Sequence, residues 1–342
     1  MSLSRDGNSR ELAVDVTDPS GVAEARRRAS SLARAVGFDE PEIGRVAIIV
    51  TEAATNVLKH GGGGEVLVQA VTTNAIDGLD ILALDRGKGI PSLADALRDG
   101  YSTAGSQGTG LGAITRQADV FDVYSVAGAG TAVFARVWSR PMPSSPAKRL
   151  RVGAAGAPGP GEHVSGDGFA MTRAGHRVAI LVVDGLGHGP LAANARNEAV
   201  RIFSASRPSK PAEVIAAIHA GLRGTRGAAV AISEIDPEHG SLVFCGLGNI
   251  GAAIVAGGEM RHLVSHNGTA GLAARKIEQF VYPWRANATL VKHTDGLTTQ
   301  WGMDRYPGLA AHEPSLVAGV LYRDLKRGRD DVAVVVARDS PR

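Results

Sequence analysis

One short segment constrains the fold more than any other. The stretch SRPMPSSPAKR, residues 139–149, packs three prolines and three serines between two long runs of strand-like apolar sequence. Proline offers no amide to a sheet ladder, and a serine-rich run has little to bury, so this segment does not continue a core. The chain therefore reads as two domains, 1–138 and 149–342, joined by a linker at 139–148. With 342 residues and 44% hydrophobic content, each half has apolar side chains enough for a core of its own. A charged fraction of 21% is that of an ordinary globular protein. The net charge is only +3, and no basic stripe is interleaved with aromatics, which make up 4% of the chain, so a nucleic-acid partner is not expected. No apolar run approaches the roughly 18 residues of a membrane span. The opening MSLSRDGNSRELAVDV lacks the apolar centre of a signal segment, so the expectation is a cytoplasmic protein with no membrane contact. The single cysteine, Cys245, permits no internal disulfide and lies in apolar SLVFCGLGNI, where it reads as a buried thiol.

In the first unit ELAVDV alternates as a strand and VAEARRRASSLARAVG has helical periodicity, closed by Gly37. A second helix runs through TEAATNVLKHGGGG. Its apolar stripe is Val46, Val50, Ala53 and Val57, while Glu52, Asn56 and Lys59, at i, i+4 and i+7, share a different face. EVLVQAV, LDILALD and TAVFARVW read as strands, which makes an α/β sandwich with helices on one side of a mixed sheet. A carboxylate, an amide and an amine on one helix face are either a solvated surface or a site. Three glycine-bearing stretches follow: DRGKGI with Asp85, Gly87 and Gly89; GTGLG with Gly108, Thr109, Gly110, Leu111 and Gly112; and GAGTAVF with Gly130 and Thr131.

With E-x-x-x-N-x-x-K-H, these stretches resemble, in order, the N box and glycine boxes of the GHKL (Bergerat-fold) ATPases, over most of residues 10–138. The resemblance implies ATP and Mg²⁺. Asn56 would ligate Mg²⁺, which keeps much of its water. Glu52 would be the general base for an incoming hydroxyl, and Lys59 a point cation for phosphate. Asp85 would read the adenine amine beside Gly87 and Gly89, with Thr131 nearby. Gly108, Thr109, Gly110, Leu111 and Gly112 would bring backbone N–H groups to phosphate at a helix start, within a mobile lid at 95–112. The four glycines that end the helix would then turn the chain away from the phosphates. Within this family the stretch from DGYSTAGSQGTGLG to GAGTAV looks closest to the small serine kinases of partner-switching pathways, the RsbT type. Those kinases phosphorylate a serine or threonine of a STAS-domain protein.

The second unit has strands VAILVVD, GAAVAISEID, SLVFCGLG, GAAIVAG, ATLVKHTD and DVAVVVARD, with helices LAANARNEAVRIFSAS and AEVIAAIHAGLR. Acids recur at strand ends: Asp167 in SGD, Asp184 with Gly185 in VVDGLGHG, Asp295 in HTDGL, and Asp330 and Asp331 in GRDDVAVVV. Asp-Gly pairs are common turns, yet hard oxygen donors at several strand ends are also what Mg²⁺ or Mn²⁺ requires. In order, these motifs resemble the metal-dependent serine/threonine phosphatases of the PPM family, in the SpoIIE/RsbX branch, from 149 to 338. The resemblance implies an α-β-β-α sandwich and two ions, Mn²⁺ or Mg²⁺. Asp184 would bridge them with help from the Gly185 carbonyl, Asp295 and Asp330 would complete the site, Asp167 would add a further acid, and Asp331 would orient Asp330. His188 and His293 flank aspartates but lack Cys/His zinc spacing, and read as a loop and a strand residue.

The expected protein is a bifunctional switch: a kinase and a phosphatase for STAS-domain proteins in one chain, with control by a partner or ligand. Two alternatives stand beside it, an ATP-binding anti-sigma factor holding a sigma factor, and a phosphatase governed by a nucleotide-sensing domain. Kinases of this type often pair, which would make a homodimer, although no residue here specifies an interface.

Overall fold

The computed structural model describes residues 11–73, 75–96, 110–142, 150–206 and 210–339. Most of the expected lid, with Gly108 and Thr109, and much of the expected linker lie outside them. The chain divides into two compact units, one spanning Arg10–Ser144 and one holding Ser145–Arg342.

The first unit runs β1 (Glu11–Val16), α1 (Pro19–Ala35), α2 (Glu40–Gly61), β2 (Gly64–Thr73), β3 (Ile76–Asp85), the single turn α3 (Leu93–Ala96), α4 (Gly110–Gln117), β4 (Val120–Val126) and β5 (Gly130–Trp138). Both long helices start at an aspartate. Asp18 accepts from the N–H groups of Ser20 and Gly21, and Asp39 from that of Glu42. Each is followed by a proline in the first turn, where a missing N–H is harmless. The buried stripe of α2 is Ile43, Val46, Ile49, Val50, Ala53, Ala54 and Val57, which contains the expected one. It shares a core with Val66 and Val68 of β2, Ile81 and Ala83 of β3, and Val133 and Ala135 of β5. Each valine or isoleucine among them contributes about 1.5–3 kcal/mol by leaving water.

The sheet order is β1-β2-β3-β5-β4, and every pairing in it is antiparallel. The expectation of a mixed sheet is thereby corrected. The α1–α2 pair leaves β1 at Val16 and re-enters at Gly64, and these two residues are register partners. The crossover from β3 to β4 does make those strands parallel, but β5 inserts between them and runs antiparallel to both. The reading of the sequence also passed over β4, whose VFDVYSV carries Asp122 in mid-strand.

The second unit comprises β6 (Leu150–Ala157), β7 (Asp167–Ala174), β8 (Arg177–Gly185), α5 (Gly189–Ala205), α6 (Pro211–Gly221), β9 (Ala228–Asp236), β10 (Ser241–Leu247), β11 (Gly251–Ala256), β12 (Glu259–His262), the short pair β13 (Gly268–Thr269) and β14 (Ala273–Ala274), β15 (Gln279–Pro283), β16 (Thr289–His293), α7 (Pro314–Leu325) and β17 (Val332–Asp339). Two five-stranded antiparallel sheets, β15-β10-β9-β8-β7 and β12-β11-β16-β17-β6, face each other. Phe169, Ile180, Val182 and Phe244 of the first meet Leu290, Val335 and Ala337 of the second in one core. Helices α5 and α6 cover the outer face of the first sheet through Ala199, Phe203, Ile215 and Ile218, and α7 lies against β6 and β17 of the second. This is the expected α-β-β-α sandwich. Lys292 of β16 crosses the core and donates from Nζ to the carbonyls of Ile180 (3.0 Å) and Ala231 (2.8 Å). Complete burial pushes its amine well below the usual lysine range. Among the described residues no helix is long and apolar enough to cross a membrane.

Candidate active sites

In the first unit the site gathers where α2 ends and β3 ends. Asp85, the last residue of β3, is buried, and its Oδ1 accepts from the N–H groups of Gly87 (2.8 Å) and Thr131 (3.1 Å). Helix α2 closes directly onto this aspartate. A Cβ on Gly61 would lie 2.3 Å from that of Asp85, and the C-cap Gly62 is left-handed at φ 71°. The glycine run is therefore a matter of close packing against Asp85 as much as of turning the chain away. Glu52 and Asn56 are half-buried on the face of α2 beside this corner, and Lys59 is exposed in the last turn. The start of α4 lies against Asn56, since a Cβ on Gly110 would be 3.1 Å from Asn56 Oδ1. Leu111 turns its side chain into the core, which leaves its amide as the group able to face a ligand, and Gly112 follows half-buried. Gly89, at φ 72°, lies against the end of β4. Arg45 ties the same helix to the far end of α4, donating to the Gln117 carbonyl (2.9 and 2.6 Å) and to Asp119 (3.0 Å). The N–H groups that open α4 and the Asn56 amide make a corner suited to an anion, with Lys59 one turn further along α2. The Asp85 carboxylate marks a deeper wall suited to a donor.

In the second unit the acids converge at one end of the sandwich. Asp167 opens β7 and Asp184 nearly closes β8, and the two face each other in register. Asp295 follows β16, and Asp330 and Asp331 precede β17 in the facing sheet. Burial, then the charges of Asp295, Asp330 and Asp331, push the Asp184 carboxyl up to about 7. Burial and the Asp184 charge push Asp167 well above the carboxylate range, and burial and Asp330 raise Asp295. Asp167 Oδ2 is buried with no hydrogen-bond partner. Like charges and an orphaned carboxylate oxygen in one place fit a divalent cation bound through oxygen, so the residues present suit the metal that the sequence implied.

Asp331 has a different part. Its Oδ1 accepts from the Gly159 N–H at 2.6 Å, its Oδ2 from the Gly166 N–H, and its own N–H donates to Asp330 Oδ1 at 2.9 Å. Asp331 is buried and Asp330 exposed, so Asp331 holds the loops while Asp330 stays free to face a ligand. Gly185 is buried beneath α5. His188 stands at the N-terminal boundary of α5 without a side-chain capping bond, and its Nδ1 meets Glu162 (2.6 Å). His293 ends β16, with Nδ1 at the Thr294 carbonyl (2.8 Å) and Nε2 accepting from Trp301 (3.4 Å). Cys245 is buried, which pushes its thiol up to about 11. Asn249 was not singled out in the sequence, and its Nδ2 donates to Asp295 Oδ2 at 2.8 Å. Its signal in the sequence was the stretch GLGNI, which belongs to the phosphatase resemblance although no role was drawn for the asparagine itself.

The two folds and their corners define a class: a GHKL-type ATPase domain and a PPM-type metal-dependent phosphatase domain in one chain. Residues 16–137 match the histidine kinase-like ATPase domain model, and residues 174–339 match that of stage II sporulation protein E (SpoIIE). The chain belongs to the histidine kinase-like ATPase family through its first unit and carries a SpoIIE-type domain in its second. It is 34% identical over 119 residues to the serine/threonine-protein kinase RsbT of Bacillus subtilis (strain 168), covering 35% of this chain and 90% of that protein. It is 26% identical over 139 residues to the phosphoserine phosphatase RsbX of the same organism, covering 40% of this chain and 69% of that protein. A solved structure from work on the bacterial stressosome as a modular system controlling secondary messenger signaling matches with TM-score 0.52. That match has 26% identity and covers 55% of this chain and 99% of the other.

Proposed function

We propose that this chain is a cytoplasmic partner-switching regulator with two opposed activities. Its first unit is a serine/threonine kinase using ATP and Mg²⁺, and its second is a phosphoserine/phosphothreonine phosphatase using Mg²⁺ or Mn²⁺. Both act on STAS-domain proteins. The observation that carries this reading is the convergence of Asp167, Asp184, Asp295 and Asp330 on one end of the second unit, with Asp184 raised to about 7 by burial and its acidic neighbours.

In the kinase the Glu52 carboxylate takes the proton of the incoming hydroxyl as its oxygen bonds to the γ-phosphorus and ADP leaves. Asn56 holds Mg²⁺, Lys59 and the amides from Gly110 onward balance phosphate charge, and Asp85 accepts from the adenine amine. In the phosphatase, bound ions supply charge neutralisation at the phosphoryl oxygens and a more acidic water. Asp184, Asp167, Asp295, Asp330 and the Gly185 carbonyl hold them. Asn249 keeps Asp295 oriented, and Asp331, fixed by the Gly159 and Gly166 amides, keeps Asp330 oriented. Placing both activities on one chain keeps them stoichiometric and raises the local concentration of one near the product of the other.

The test uses the Asp184→Asn chain, so that product is not erased, with labelled ATP, Mg²⁺ and each STAS-domain protein of the same genome. Label on one of them supports the kinase and supplies the phosphoprotein on which the unmodified chain should act. ATP binding without label overturns it in favour of nucleotide sensing. Retention of a sigma factor in the presence of ATP would favour an anti-sigma role.

A further inference from the structure

At the end of the first phosphatase sheet remote from the acids, two hairpin turns come together. His176 lies in the turn between β7 and β8, Asp236 ends β9, and Glu238 and His239 lie in the turn from β9 into β10. The register that pairs Val178 with Ile235 sets the two turns side by side. His176 and Asp184 lie at opposite ends of β8, a span of roughly 26 Å for an extended strand.

The geometry is that of a donor set already gathered. His176 Nε2 is 3.3 Å from Asp236 Oδ2, and His239 Nδ1 is 2.9 Å from the same oxygen. The three ligand atoms lie within 4.8 Å of one another. The other Asp236 oxygen, Oδ1, accepts from the backbone N–H groups of Glu238 (3.1 Å) and His239 (3.0 Å), which pins the carboxylate with Oδ2 toward both rings. The second nitrogen of His176, Nδ1, is 3.1 Å from a carboxylate oxygen of Glu238. Donors around a tetrahedral zinc ion, at bonds of about 2.0–2.1 Å, stand about 3.3–3.4 Å from one another, so small shifts would admit the ion. An imidazole bound through one nitrogen characteristically donates its other N–H to a carboxylate, and Glu238 stands where that acceptor belongs.

We propose that His176, Asp236 and His239 bind a divalent transition-metal ion of the zinc class, with Glu238 orienting His176. Two imidazoles and one carboxylate suit a borderline ion, whereas the all-oxygen acids near Asp184 suit Mg²⁺ or Mn²⁺. The two sites thus take different metals. The His239 side chain is 75% exposed, which leaves an open side for water as a further ligand. The ion clips the β7–β8 turn to the β9–β10 turn.

The experiment titrates Zn²⁺ into the full chain held in millimolar Mg²⁺, by calorimetry, beside H176A/H239A and E238Q. The full chain should bind one more Zn²⁺ than H176A/H239A. E238Q should keep that stoichiometry with affinity weaker by about 10–100-fold, the usual cost of losing such a partner. Co²⁺ in place of Zn²⁺ should give visible absorption bands that H176A/H239A lacks. The single variant H239A, truncated at an exposed side chain, should also weaken binding, and circular dichroism melts check that all three variants fold. Equal Zn²⁺ stoichiometry and affinity in the full chain and H176A/H239A would overturn the proposal and leave the cluster as hydrogen bonding alone. Failure of the kinase or phosphatase assay would leave this readout unaffected.

Discussion

The corner at Asn56 and the acid pole around Asp184, the two sites of the proposed function, are built in opposite ways. The first draws its groups from one helix face and the backbone around it: Glu52, Asn56 and Lys59 on α2, the α4 amides beside Asn56, and Asp85 packed under Gly61. Under the proposed function it would be a receptacle for an anion that arrives with its own Mg²⁺. The second draws acids from four strand ends in two sheets, where they repel one another and wait for cations before an anion can approach. One site is made by local geometry and the other by tertiary convergence. The second should accordingly be more sensitive to single substitutions, pH and chelation.

The sharpest way to break that contrast is to remove one reactive carboxylate from each side. Asp184→Asn should cost phosphatase turnover more than the about 100-fold typical of losing a residue that merely orients a ligand, while ATP binding is unchanged. Glu52→Gln should lower phosphoryl transfer by about 10²–10⁴-fold, the usual worth of a general base, again with ATP binding retained. Single-turnover transfer, phosphate release and nucleotide titration on both variants decide it. Loss of both activities in either variant would mean that the two units do not work independently.

A milder change probes how the acid pole is held. Asn249→Ala removes the donor to Asp295 without removing a ligand, and should raise the Mn²⁺ concentration needed for half-maximal phosphatase activity by about 10-fold. An unchanged metal requirement would show that Asp295 is positioned without Asn249.

The same contrast explains what could be read from the sequence. Glu52, Asn56 and Lys59 announced a shared face because helical spacing is local, and the buried stripe of α2 followed from the same periodicity. No such rule reaches Asp331, whose two amide donors, Gly159 and Gly166, come 172 and 165 residues earlier in the chain. The acids around Asp184 were legible only through the order of their motifs, since each Asp-Gly pair alone looks like a turn. Strand β6, LRVGAAGA, has too few β-branched residues to declare itself, and its small side chains make sense only once α7 lies against it. The antiparallel sheet of the first unit was hidden for a related reason. With β4 unread, nothing in the sequence showed that β5 pairs with both β3 and β4 and so makes every pairing in the sheet antiparallel.

The smallest effect is one of stability, and its sign follows from the raised acids. Burial and its acidic neighbours disfavour the Asp184 anion in the folded chain and push the carboxyl up from the ordinary 3.8 to about 7. The folded state then holds its proton more tightly than the unfolded chain does. The cost of ionising it is absent below about pH 4, grows as pH rises toward 7, and stays constant above. In excess EDTA the second unit should therefore melt at progressively lower temperature from pH 5 to about pH 7. Asp167 and Asp295, shifted the same way, add to the slope. Asp184→Asn should flatten that slope and raise the melting temperature at pH 8, by an amount on the order of 1–3 kcal/mol of stability. Added Mg²⁺ should stabilise the unmodified chain and do less for the variant, since a ligand that binds only the folded state raises its stability in proportion to affinity. A melting temperature that rises from pH 5 to pH 8 in EDTA would show that the acids do not repel one another in the folded chain, and the contrast with the helix-built corner at Asn56 would fall.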